Sequence, residues 1–337
     1  MTSLTDTLQR PIRDLRISVM DRCNFRCPYC MPKETYGEGY RFLSANERLS
    51  FGEITRLAQL FVRLGVQKLR LTGGEPLLRA GLSELIGDLA AIEGVEDVAV
   101  TTNGMLLARY ADDLKAQGLT RVTVSLDSLD PATFHAMSGG LGDPQEVVHG
   151  IQQAIAVGLH PIKINCVVER GRNEASVIPL IEYFRHQPVV LRFIEYMDVG
   201  NRNHWQRERV MPSAELHQLI SAHYPLVALE RQYLGEVANR YRLADASLEL
   251  GFISSVSQPF CGDCTRARLS SDGVFYTCLF ATDGLDLRQP LRNGATDQEL
   301  LTLISARWQH RADRYSELRA GPEFQGRKKI EMYYIGG

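Results

Sequence analysis

Short runs of branched and apolar residues alternate along much of the chain with segments whose apolar residues recur at helical spacing. Such alternation predicts a parallel sheet, because a helix usually makes the crossover between two parallel strands. The predicted strands cover residues 15–20, 68–72, 97–102, 121–127, 162–168 and 190–195. The predicted helices between them cover residues 46–64, 82–92, 106–117, 145–157 and 175–185. Six such units are fewer than the eight of a complete barrel, so we predict an α/β fold with a partial (βα)6 TIM-like barrel.

The pattern changes after Gly200. Helices are predicted over residues 213–223 and 297–310, and short strands over residues 240–243, 248–253, 267–270 and 274–279. An Asp-Gly turn joins the last two strands as a hairpin. We therefore predict a barrel domain of residues 1–235 and a smaller α+β domain of residues 236–337.

The predicted strands of the barrel have one apolar and one polar face. The apolar face, which includes Leu15 and Ile17, is expected to meet the helices. The polar face carries four cations, Arg16, Arg70, Lys163 and Arg192, and also Thr101 and Ser125. A cation buried alone costs several kcal/mol, so four cations facing one cavity require an anionic ligand such as a triphosphate. Alternatively, individual cations reach solvent at strand ends or pair with nearby carboxylates.

Six of the seven cysteines form two triplets, Cys23, Cys27 and Cys30 near the start and Cys261, Cys264 and Cys278 near the end. A structural zinc site uses four protein ligands, as does an all-cysteine iron-sulfur site. Three thiolates therefore indicate a 4Fe-4S cluster with one iron open to another ligand. Structural zinc is the alternative, but no histidine lies beside the first triplet. The seventh cysteine, Cys166, is interpreted as a small core residue.

A Gly-Gly-Glu-Pro motif, residues 73–76, follows the second predicted strand. Its backbone groups and the carboxylate of Glu75 could receive an ammonium group, although such a motif alone is only a turn signal. Tyr29 precedes the last cysteine of the first triplet. Its ring could cover a cluster or stack on an adenine, or it could simply pack the loop.

Together, the first triplet, Tyr29 and the Gly-Gly-Glu-Pro motif resemble the radical S-adenosylmethionine superfamily. The resemblance implies a partial (βα)6 barrel in which the open iron chelates S-adenosylmethionine, whose cleavage gives methionine and a 5'-deoxyadenosyl radical. The second triplet, within residues 258–278, and the terminal Gly336-Gly337 narrow the resemblance to the GTP 3',8-cyclases of molybdenum cofactor biosynthesis. This narrower resemblance covers nearly the whole chain.

The resemblance also implies roles for individual residues. The cysteine triplets would hold two 4Fe-4S clusters, and the open iron of the second cluster would meet the guanine. The contacts to S-adenosylmethionine would be Tyr29, Gly73, Gly74, Glu75, Ser125 and Met197. The contacts to GTP would be Arg16, Arg70, Thr101, Lys163, Arg266, Ala267 and Arg268. The catalytic residues would be Arg192, which is our added candidate, with Arg266, Arg268, Gly336 and Gly337.

Two of these sets of residues also have a non-functional interpretation. Arg266 and Arg268 share one face of a predicted strand and could form a solvated edge. The Gly-Gly end could be disordered, and its insertion near the clusters is implied by the resemblance alone.

We hypothesise that the deoxyadenosyl radical abstracts the ribose 3' hydrogen of GTP, and that the resulting carbon radical attacks carbon 8 of guanine. The product would be (8S)-3',8-cyclo-7,8-dihydroguanosine 5'-triphosphate. One alternative is a two-cluster radical enzyme that modifies a peptide, but such enzymes usually have more C-terminal cysteines. A second alternative is a non-catalytic electron carrier, which would have no use for Gly-Gly-Glu-Pro or for a cation-lined barrel.

The formal net charge of -2 argues against an electrostatically driven nucleic-acid binder. No apolar run approaches the roughly 18 residues that cross a bilayer, so we expect no membrane segment and a cytoplasmic location. The resemblance implies further partners besides GTP. These are a cyclic pyranopterin monophosphate synthase that receives the product, a reductant such as flavodoxin or ferredoxin, and a second copy in a homodimer.

Overall fold

The computed structural model describes residues 4–321 and 326–337. Six parallel strands form the centre of one sheet, and all six were predicted to within two residues at each end. They are β1 Asp14–Met20, β2 Lys68–Gly73, β3 Asp97–Thr102, β4 Arg121–Ser125, β5 Ile162–Val168 and β6 Val189–Glu195. Each strand pairs with its neighbour in chain order. The prediction of an α/β fold with a large parallel sheet is confirmed.

Helices connect these strands. They are α1 Phe51–Arg63, α2 Leu82–Ala90, α3 Leu107–Ala116, α4 Pro131–Ser138, α5 Pro144–Ala156 and α6 Val177–Phe184. Helix α1 begins five residues later than predicted because Ser50 and Glu53 form a capping box there. Helix α4 was not predicted. It is short, and it is bounded by the Asp130 cap and by Gly139 in the left-handed conformation.

The later elements are α7 Ser213–Ser221, β7 Leu226–Leu229, β8 Asn239–Leu243, β9 Glu249–Ile253, β10 Arg266–Leu269, β11 Val274–Tyr276, β12 Leu285–Asp286, α8 Arg288–Arg292, α9 Asp297–Gln309, α10 Tyr315–Leu318 and α11 Met332–Ile335. Among the helices of the described residues, none has the length and apolar character needed to span a membrane.

Strands from the C-terminal third extend the central sheet at both sides. The strand order is β12-β11-β10-β1-β2-β3-β4-β5-β6-β9-β8-β7. Strand β10 runs parallel to β1, and β9 runs parallel to β6. Residues on either side of the predicted boundary at 235/236 therefore share one sheet, and the division into two domains stays a prediction.

The two faces of the sheet differ as their sequence predicts. Leu15, Ile17 and Leu71 are fully buried in the main hydrophobic core, and Cys166 is fully buried there too. The alternate residues, which include Arg16, Arg70 and Arg192, line a cavity on the other side of the sheet. Packing of the helices on one face thus leaves the polar face free to form a site.

Candidate active site

Both cysteine triplets line the same cavity, and all six thiols are free of disulfide bonds. The first triplet follows the C-terminal end of β1, whereas Cys264 precedes the N-terminal end of the neighbouring parallel strand β10. The triplets therefore lie toward opposite ends of β1, which is about 20 Å long at the usual rise per residue. The stretch of sheet between them can accommodate an extended small molecule.

Three arginines stand side by side on that stretch of sheet. The register pairs Arg268 of β10 with Arg16 of β1, and pairs Arg16 with Arg70 of β2. All three line the cavity, together with Arg266 and Arg192. Because neighbouring strands are about 4.8 Å apart, this row concentrates positive charge at one level of the cavity.

The cations of this row, and those around it in the cavity, have no direct ion pairs. Within the described residues, none of Arg16, Arg70, Lys163, Arg192, Arg266 and Arg268 forms an ion pair with a carboxylate. Burial, followed by the positive charges of Arg268 and Arg266, lowers the pKa of Arg16 well below its usual value. Burial likewise lowers the pKa of Arg70 to about 10 and that of Arg192 to about 9. Buried cations that repel one another and are not directly paired with a carboxylate bind a polyanionic ligand favourably.

Neutral partners hold two of these cations in place. Arg70 donates from Nη1 to the hydroxyls of Thr101 and Thr123, at 3.1 Å each. Arg192 donates from Nε to Oδ1 of Asn165 at 2.9 Å. These contacts orient the guanidinium groups without neutralising them, so their charge remains available to a ligand.

The loop of the first triplet is tied to the Gly-Gly-Glu-Pro turn through the backbone. Gly74 donates from N to the carbonyl of Met20 at 2.7 Å, and Glu75 donates from N to the carbonyl of Arg22 at 2.8 Å. A Cβ atom on Gly74 would lie 2.2 Å from the Arg22 carbonyl oxygen. Only glycine allows so close an approach, which explains the residue type at this position.

Glu75 stabilises that turn from a buried position outside the cavity lining. It is fully buried and is absent from the lining. Its carboxylate accepts hydrogen bonds from Leu77 N at 3.0 Å, Thr102 Oγ1 at 2.8 Å and Asn103 N at 2.7 Å. Burial raises its pKa to about 7. The side chain predicted as a receptor for an ammonium group is thus occupied by the protein itself.

Tyr29 lies in the cavity wall, where its phenol donates to Oδ2 of Asp127 at 2.8 Å. The other oxygen of Asp127 accepts from the backbone N of Val167 at 2.8 Å. This pair of bonds connects the first triplet to the ends of β4 and β5. Sequence reasoning did not single out Asp127 as a partner of Tyr29.

The thiols of the first triplet are surrounded by protein. Cys23 Sγ accepts from Phe25 N at 3.3 Å and from Asn103 Nδ2 at 3.8 Å. Burial raises the pKa of Cys23 to about 12, and burial also raises the pKa values of Cys27 and Cys30. Ionisation of such thiols is unfavourable unless a metal binds the thiolates.

The second triplet has a more cationic environment. Arg266 donates from Nε to Cys264 Sγ at 3.3 Å, and Phe280 donates from N to Cys278 Sγ at 3.4 Å. Although burial opposes ionisation, the charges of Arg266 and Arg311 lower the pKa of Cys264 to about 6. Burial, followed by the negative charge of Asp313, raises the pKa of Cys278 to about 12.

A buried ion network supports the second triplet. Asp6 pairs with Arg10 at 2.6 Å and with Arg311 at 3.1 Å. Arg10 donates from Nη1 to the carbonyl of Cys261, and Arg311 donates from Nη1 to that of Cys264, both at 2.7 Å. Sequence reasoning missed these residues, and no local pattern marks them because Asp6 and Arg311 are 305 positions apart.

Most of the predicted site residues meet in this cavity. Besides the cysteines, the lining contains Arg16, Tyr29, Arg70, Gly73, Gly74, Thr101, Ser125, Arg192, Met197, Arg266, Arg268 and Gly337. Lys163, Glu75, Ala267 and Gly336 do not line it. Ala267 is fully buried in the hydrophobic core, because strand alternation turns it away when its neighbours face the cavity. The prediction that Ala267 contacts GTP can therefore concern only its backbone groups.

Two predicted site residues that do not line the cavity, Lys163 and Gly336, lie close to it. Lys163 is half-buried, and burial followed by the charge of Arg192 lowers its pKa to about 7. Gly336 packs against Thr72, and a Cβ atom there would lie 2.4 Å from Thr72 Cγ2. The terminal segment thus reaches β2, and Gly337 enters the lining.

The donor set fits iron-sulfur clusters. Each triplet offers three thiols on one cavity, and N-H groups donate to a sulfur atom in both triplets, which is a contact that tunes such clusters. Within residues 4–321 and 326–337, no three Cys, His, Asp or Glu side chains converge on the position of a single metal ion.

Two protein-family descriptions match the chain. The Radical SAM superfamily matches residues 17–184, and Molybdenum Cofactor Synthesis C matches residues 189–317. The first range contains the first triplet and strands β2 to β5, and the second contains the second triplet.

Curated relatives are similar over the full length. Proteins named GTP 3',8-cyclase share 54% identity over 334 residues in Xanthomonas axonopodis pv. citri and 48% over 337 residues in Staphylococcus saprophyticus. In both cases the alignment covers 99% of this chain and 99% of the relative. A third relative of that name, from Acidothermus cellulolyticus, is 49% identical over 358 residues with the same coverage.

Solved structures share the fold at low sequence identity. Streptococcus suis SuiB bound to S-adenosylmethionine superposes with a TM-score of 0.63 at 14% identity, covering 92% of this chain and 75% of that chain. SuiB bound to the precursor peptide SuiA gives 0.61 at 14% identity, covering 95% and 75%. At this level of identity the similarity concerns the fold alone.

Proposed function

This chain belongs to the GTP 3',8-cyclase family of radical S-adenosylmethionine enzymes, and we propose that it converts GTP to (8S)-3',8-cyclo-7,8-dihydroguanosine 5'-triphosphate. That reaction is the first step of molybdenum cofactor biosynthesis. The observation that carries the assignment is 54% identity to a GTP 3',8-cyclase over 99% of both chains. The cation-lined cavity between two thiol triplets is a site suited to this substrate.

The first triplet would hold one 4Fe-4S cluster and the second triplet another. S-adenosylmethionine bound at the first cluster supplies a 5'-deoxyadenosyl radical. Tyr29, Gly73, Gly74, Ser125 and Met197 would contact this cofactor, since all five line the cavity. Glu75 would act through the turn that it stabilises, because its carboxylate is committed to three protein donors.

GTP would lie between the two clusters with its triphosphate on the row formed by Arg268, Arg16 and Arg70. The register of β10, β1 and β2 supports this placement, as does the absence of ion pairs to these cations among the described residues. Arg266, Thr101 and Arg192 would complete the contacts, and Lys163 would add charge from just outside the lining. Anchoring GTP at both ends holds ribose C3' close to guanine C8, which favours bond formation between them.

The six parallel strands would form the partial (βα)6 barrel. Contributions from β1, β2, β5 and β6 to one cavity support this curvature, because a flat sheet would spread these residues apart. Residues 1–235 would form the barrel domain, and residues 236–337 would form the smaller domain that carries the second cluster.

The terminal Gly336-Gly337 would act in catalysis from the cavity wall. Gly337 lies in the lining, and Tyr333 packs with Met31 and Tyr36 beside Cys23 and Cys30. The tail would therefore shield the reacting groups from water near the first cluster.

The remaining partners are those that the family resemblance implies. A cyclic pyranopterin monophosphate synthase would receive the product, and flavodoxin or ferredoxin would supply electrons. The protein would act as a cytoplasmic homodimer.

Anaerobic turnover tests this assignment. Reconstituted protein is incubated with GTP, S-adenosylmethionine and dithionite, and 5'-deoxyadenosine and the cyclised nucleotide are quantified. We expect GTP-dependent release of deoxyadenosine together with the cyclised nucleotide. Deoxyadenosine formation that is indifferent to GTP, with no cyclised product, would refute the substrate assignment.

A double variant examines the binding residues separately. Arg266→Ala combined with Arg268→Ala should abolish cyclisation. The iron content per chain should stay at the value for two 4Fe-4S clusters. Retained cyclisation would remove these two residues from the proposed site.

A further inference from the structure

The terminal segment, residues 329–337, reaches both cysteine triplets. Tyr333 packs beside two thiols of the first triplet, and Ile335 lies in a cluster that includes Cys278 of the second triplet. Both of these side chains are buried, and Gly337 lies in the cavity lining. A segment with these contacts covers part of the cavity, so the residues that hold the segment in place determine how well the cavity is closed.

Asn201, on the loop that follows β6, is bonded to the start of this segment. Its side-chain amide donates from Nδ2 to the carbonyl of Lys329 at 2.5 Å and to Oε1 of Glu331 at 3.1 Å. Its side-chain oxygen accepts from Lys329 N at 2.9 Å, and its backbone N donates to Glu331 Oε1 at 3.0 Å. Both the donor and the acceptor of the Asn201 side chain are therefore engaged by the terminal segment.

The neighbouring Gly200 is shaped for the same contact. Its φ of 63° lies in the left-handed region that favours glycine. A Cβ atom at this position would overlap the carboxylate of Glu331. Asn201 itself is exposed, and an exposed asparagine usually bonds to water. The close fit of Gly200 and Asn201 around Glu331 indicates that this loop receives the terminal segment specifically.

Asp198 supports the same attachment through charge. Its Oδ2 lies 3.1 Å from Nζ of Lys329, and its backbone carbonyl accepts from that ammonium group as well. Asp198 also pairs with Arg319 at 2.8 Å and accepts from the Tyr315 phenol at 2.5 Å. A substitution of Asp198 would therefore disturb several contacts, whereas the side-chain bonds of Asn201 concern the terminal segment.

The segment is attached on the other side of the cavity too. The phenol of Tyr334 donates to Oδ2 of Asp272 at 2.5 Å. Asp272 lies in the turn between β10 and β11, whereas Asn201 follows β6. In the sheet, β10 and β6 lie on either side of β1 to β5. The terminal segment thus connects the two sides of the region whose strands contribute the cavity.

We propose that Asn201 is a positioning residue of the reaction, which holds the terminal segment across the cavity and so keeps the cavity closed during turnover. Asn201 is absent from the cavity lining, so it acts through the segment and not on a ligand. The inference rests on the proposed function, because closure matters where a reactive intermediate must be kept from water.

Hydrogen exchange of the terminal segment tests the attachment. Reconstituted wild-type protein and Asn201→Ala are compared anaerobically by mass spectrometry of peptides that cover residues 329–337. We expect exchange in Asn201→Ala to be at least about tenfold faster, because the lost bonds include one to a carboxylate. The matched control is Asn293→Ala, at the exposed C-cap of α8. Unchanged exchange in Asn201→Ala would overturn the proposal.

A reversed pair tests whether the contact with Glu331 is responsible. Asn201→Asp places a second carboxylate against that of Glu331, so exchange should be at least as fast as in Asn201→Ala. Adding Glu331→Gln lets the glutamine amide donate to the new carboxylate, and exchange should slow again. A double variant that exchanges as fast as Asn201→Asp alone would contradict the proposed contact.

Turnover shows whether the attachment matters to the reaction. In Asn201→Ala we expect kcat for cyclisation to fall at least about fivefold, while KM for GTP stays within about twofold of the wild-type value. With the segment loosened, deoxyadenosine can form with a hydrogen atom taken from protein or buffer instead of from GTP. The ratio of deoxyadenosine to cyclised nucleotide should therefore rise. Wild-type kcat and ratio in a variant whose segment exchanges fast would refute a role for Asn201 in the reaction.

Iron content separates positioning from a general structural role. It should equal that of wild-type protein in Asn201→Ala, because the side chain of Asn201 bonds to the terminal segment and not to a cysteine. Loss of iron would overturn the proposal. Failure of the proposed function is distinguishable, since wild-type protein would then make no cyclised product, whereas the exchange of residues 329–337 decides the attachment without turnover.

Discussion

The phenol of Tyr29 donates a 2.8 Å hydrogen bond to Asp127, and this contact fixes an aromatic ring beside the first cysteine triplet. Asp127 is itself held by Val167 N of β5 at 2.8 Å. The ring orientation is therefore determined by a strand that lies far from the triplet in the sequence. Because Asp127 positions Tyr29 in this way, we expect their hydrogen bond to affect the affinity for the S-adenosylmethionine proposed to bind there.

Tyr29→Phe keeps the ring and removes this tether. We expect the dissociation constant for S-adenosylmethionine to rise about threefold to tenfold, as for the loss of one hydrogen bond of about 1 kcal/mol. GTP affinity should change little, because the arginine row is untouched. Anaerobic calorimetry with each ligand measures both. Tyr183→Phe, at an exposed position on α6, is the control. An equal loss of affinity for both ligands would contradict a local role for the tether.

Gly74→Ala should disrupt the first cluster. The added Cβ would lie 2.2 Å from the Arg22 carbonyl oxygen, so the loop that carries Cys23 must move. We expect loss of iron from the first cluster, measured as iron per chain in a background where the second triplet is replaced by alanine. Gly52→Ala on α1 has open space around the new methyl group and should bind iron normally. Normal iron content in Gly74→Ala would show that the loop tolerates displacement.

Stability should depend on pH through Glu75. Burial raises its pKa from 4.5 to about 7, so the folded state binds the proton more tightly than the unfolded state. The stability that this preference contributes is complete below pH 4.5 and is lost as the pH rises through about 7. The loss should reach about 3 kcal/mol, at 1.36 kcal/mol for each pKa unit.

Urea unfolding under argon from pH 5 to pH 8 measures this effect against Glu75→Gln. The glutamine amide cannot accept from Asn103 N, so the variant is less stable at low pH. The difference between the two proteins should shrink as the pH rises. Parallel stability curves would mean that Glu75 titrates near its ordinary pKa.

Asp6→Asn should weaken the second cluster from a distance. The change leaves Arg10 and Arg311 buried without their anion, which costs about 3–5 kcal/mol of folding free energy. Both arginines hold carbonyls of the second triplet, so iron should be lost there before it is lost from the first triplet. Urea unfolding and iron analysis measure the two effects. Asp297→Asn breaks two surface ion pairs, with Arg56 and Arg63, and should cost about 1 kcal/mol or less. Equal effects of the two substitutions would argue against the network.

Gly336→Ala should reduce turnover without loss of iron. Its φ of 78° is unfavourable for alanine, and the new Cβ would lie 2.4 Å from Thr72 Cγ2. The terminal residue would then be displaced from the cavity, which we expect to lower kcat for cyclisation at least about tenfold. Gly326→Ala also has a positive φ but has open space around it, so it is the matched control. Wild-type turnover in Gly336→Ala would remove the tail from the proposed mechanism.

Local patterns predicted the central strands well because side-chain alternation is a property of neighbouring residues. Leu15 and Arg16 lie on opposite faces of β1 as their alternation requires. Helix α4 was not predicted, and β11 ends at Tyr276, three residues before its predicted end. In both cases the element is short, and turn residues and tertiary contacts outweigh the propensity of a few residues.

The sequence predicted the residues that would bind the clusters and the substrate better than it predicted the residues that hold the site together. The cysteines, Tyr29 and the cations could be singled out by residue type, because thiolates and unpaired buried charges have few other uses. Ala267 was included through the family resemblance, although alternation turns its side chain to the core. The carboxylate of Glu75 looked available in the sequence but accepts three protein donors.

The amino-acid sequence by itself determined the strand and helix order, the two sets of three thiols and the surplus of cations on one strand face. Only the tertiary structure decided that Arg268 stands beside Arg16 and that Asp6 supports the second triplet. The reason is physical. Periodicity and ligand chemistry depend on adjacent residues, whereas strand register and buried ion pairs depend on contacts between segments more than 250 positions apart.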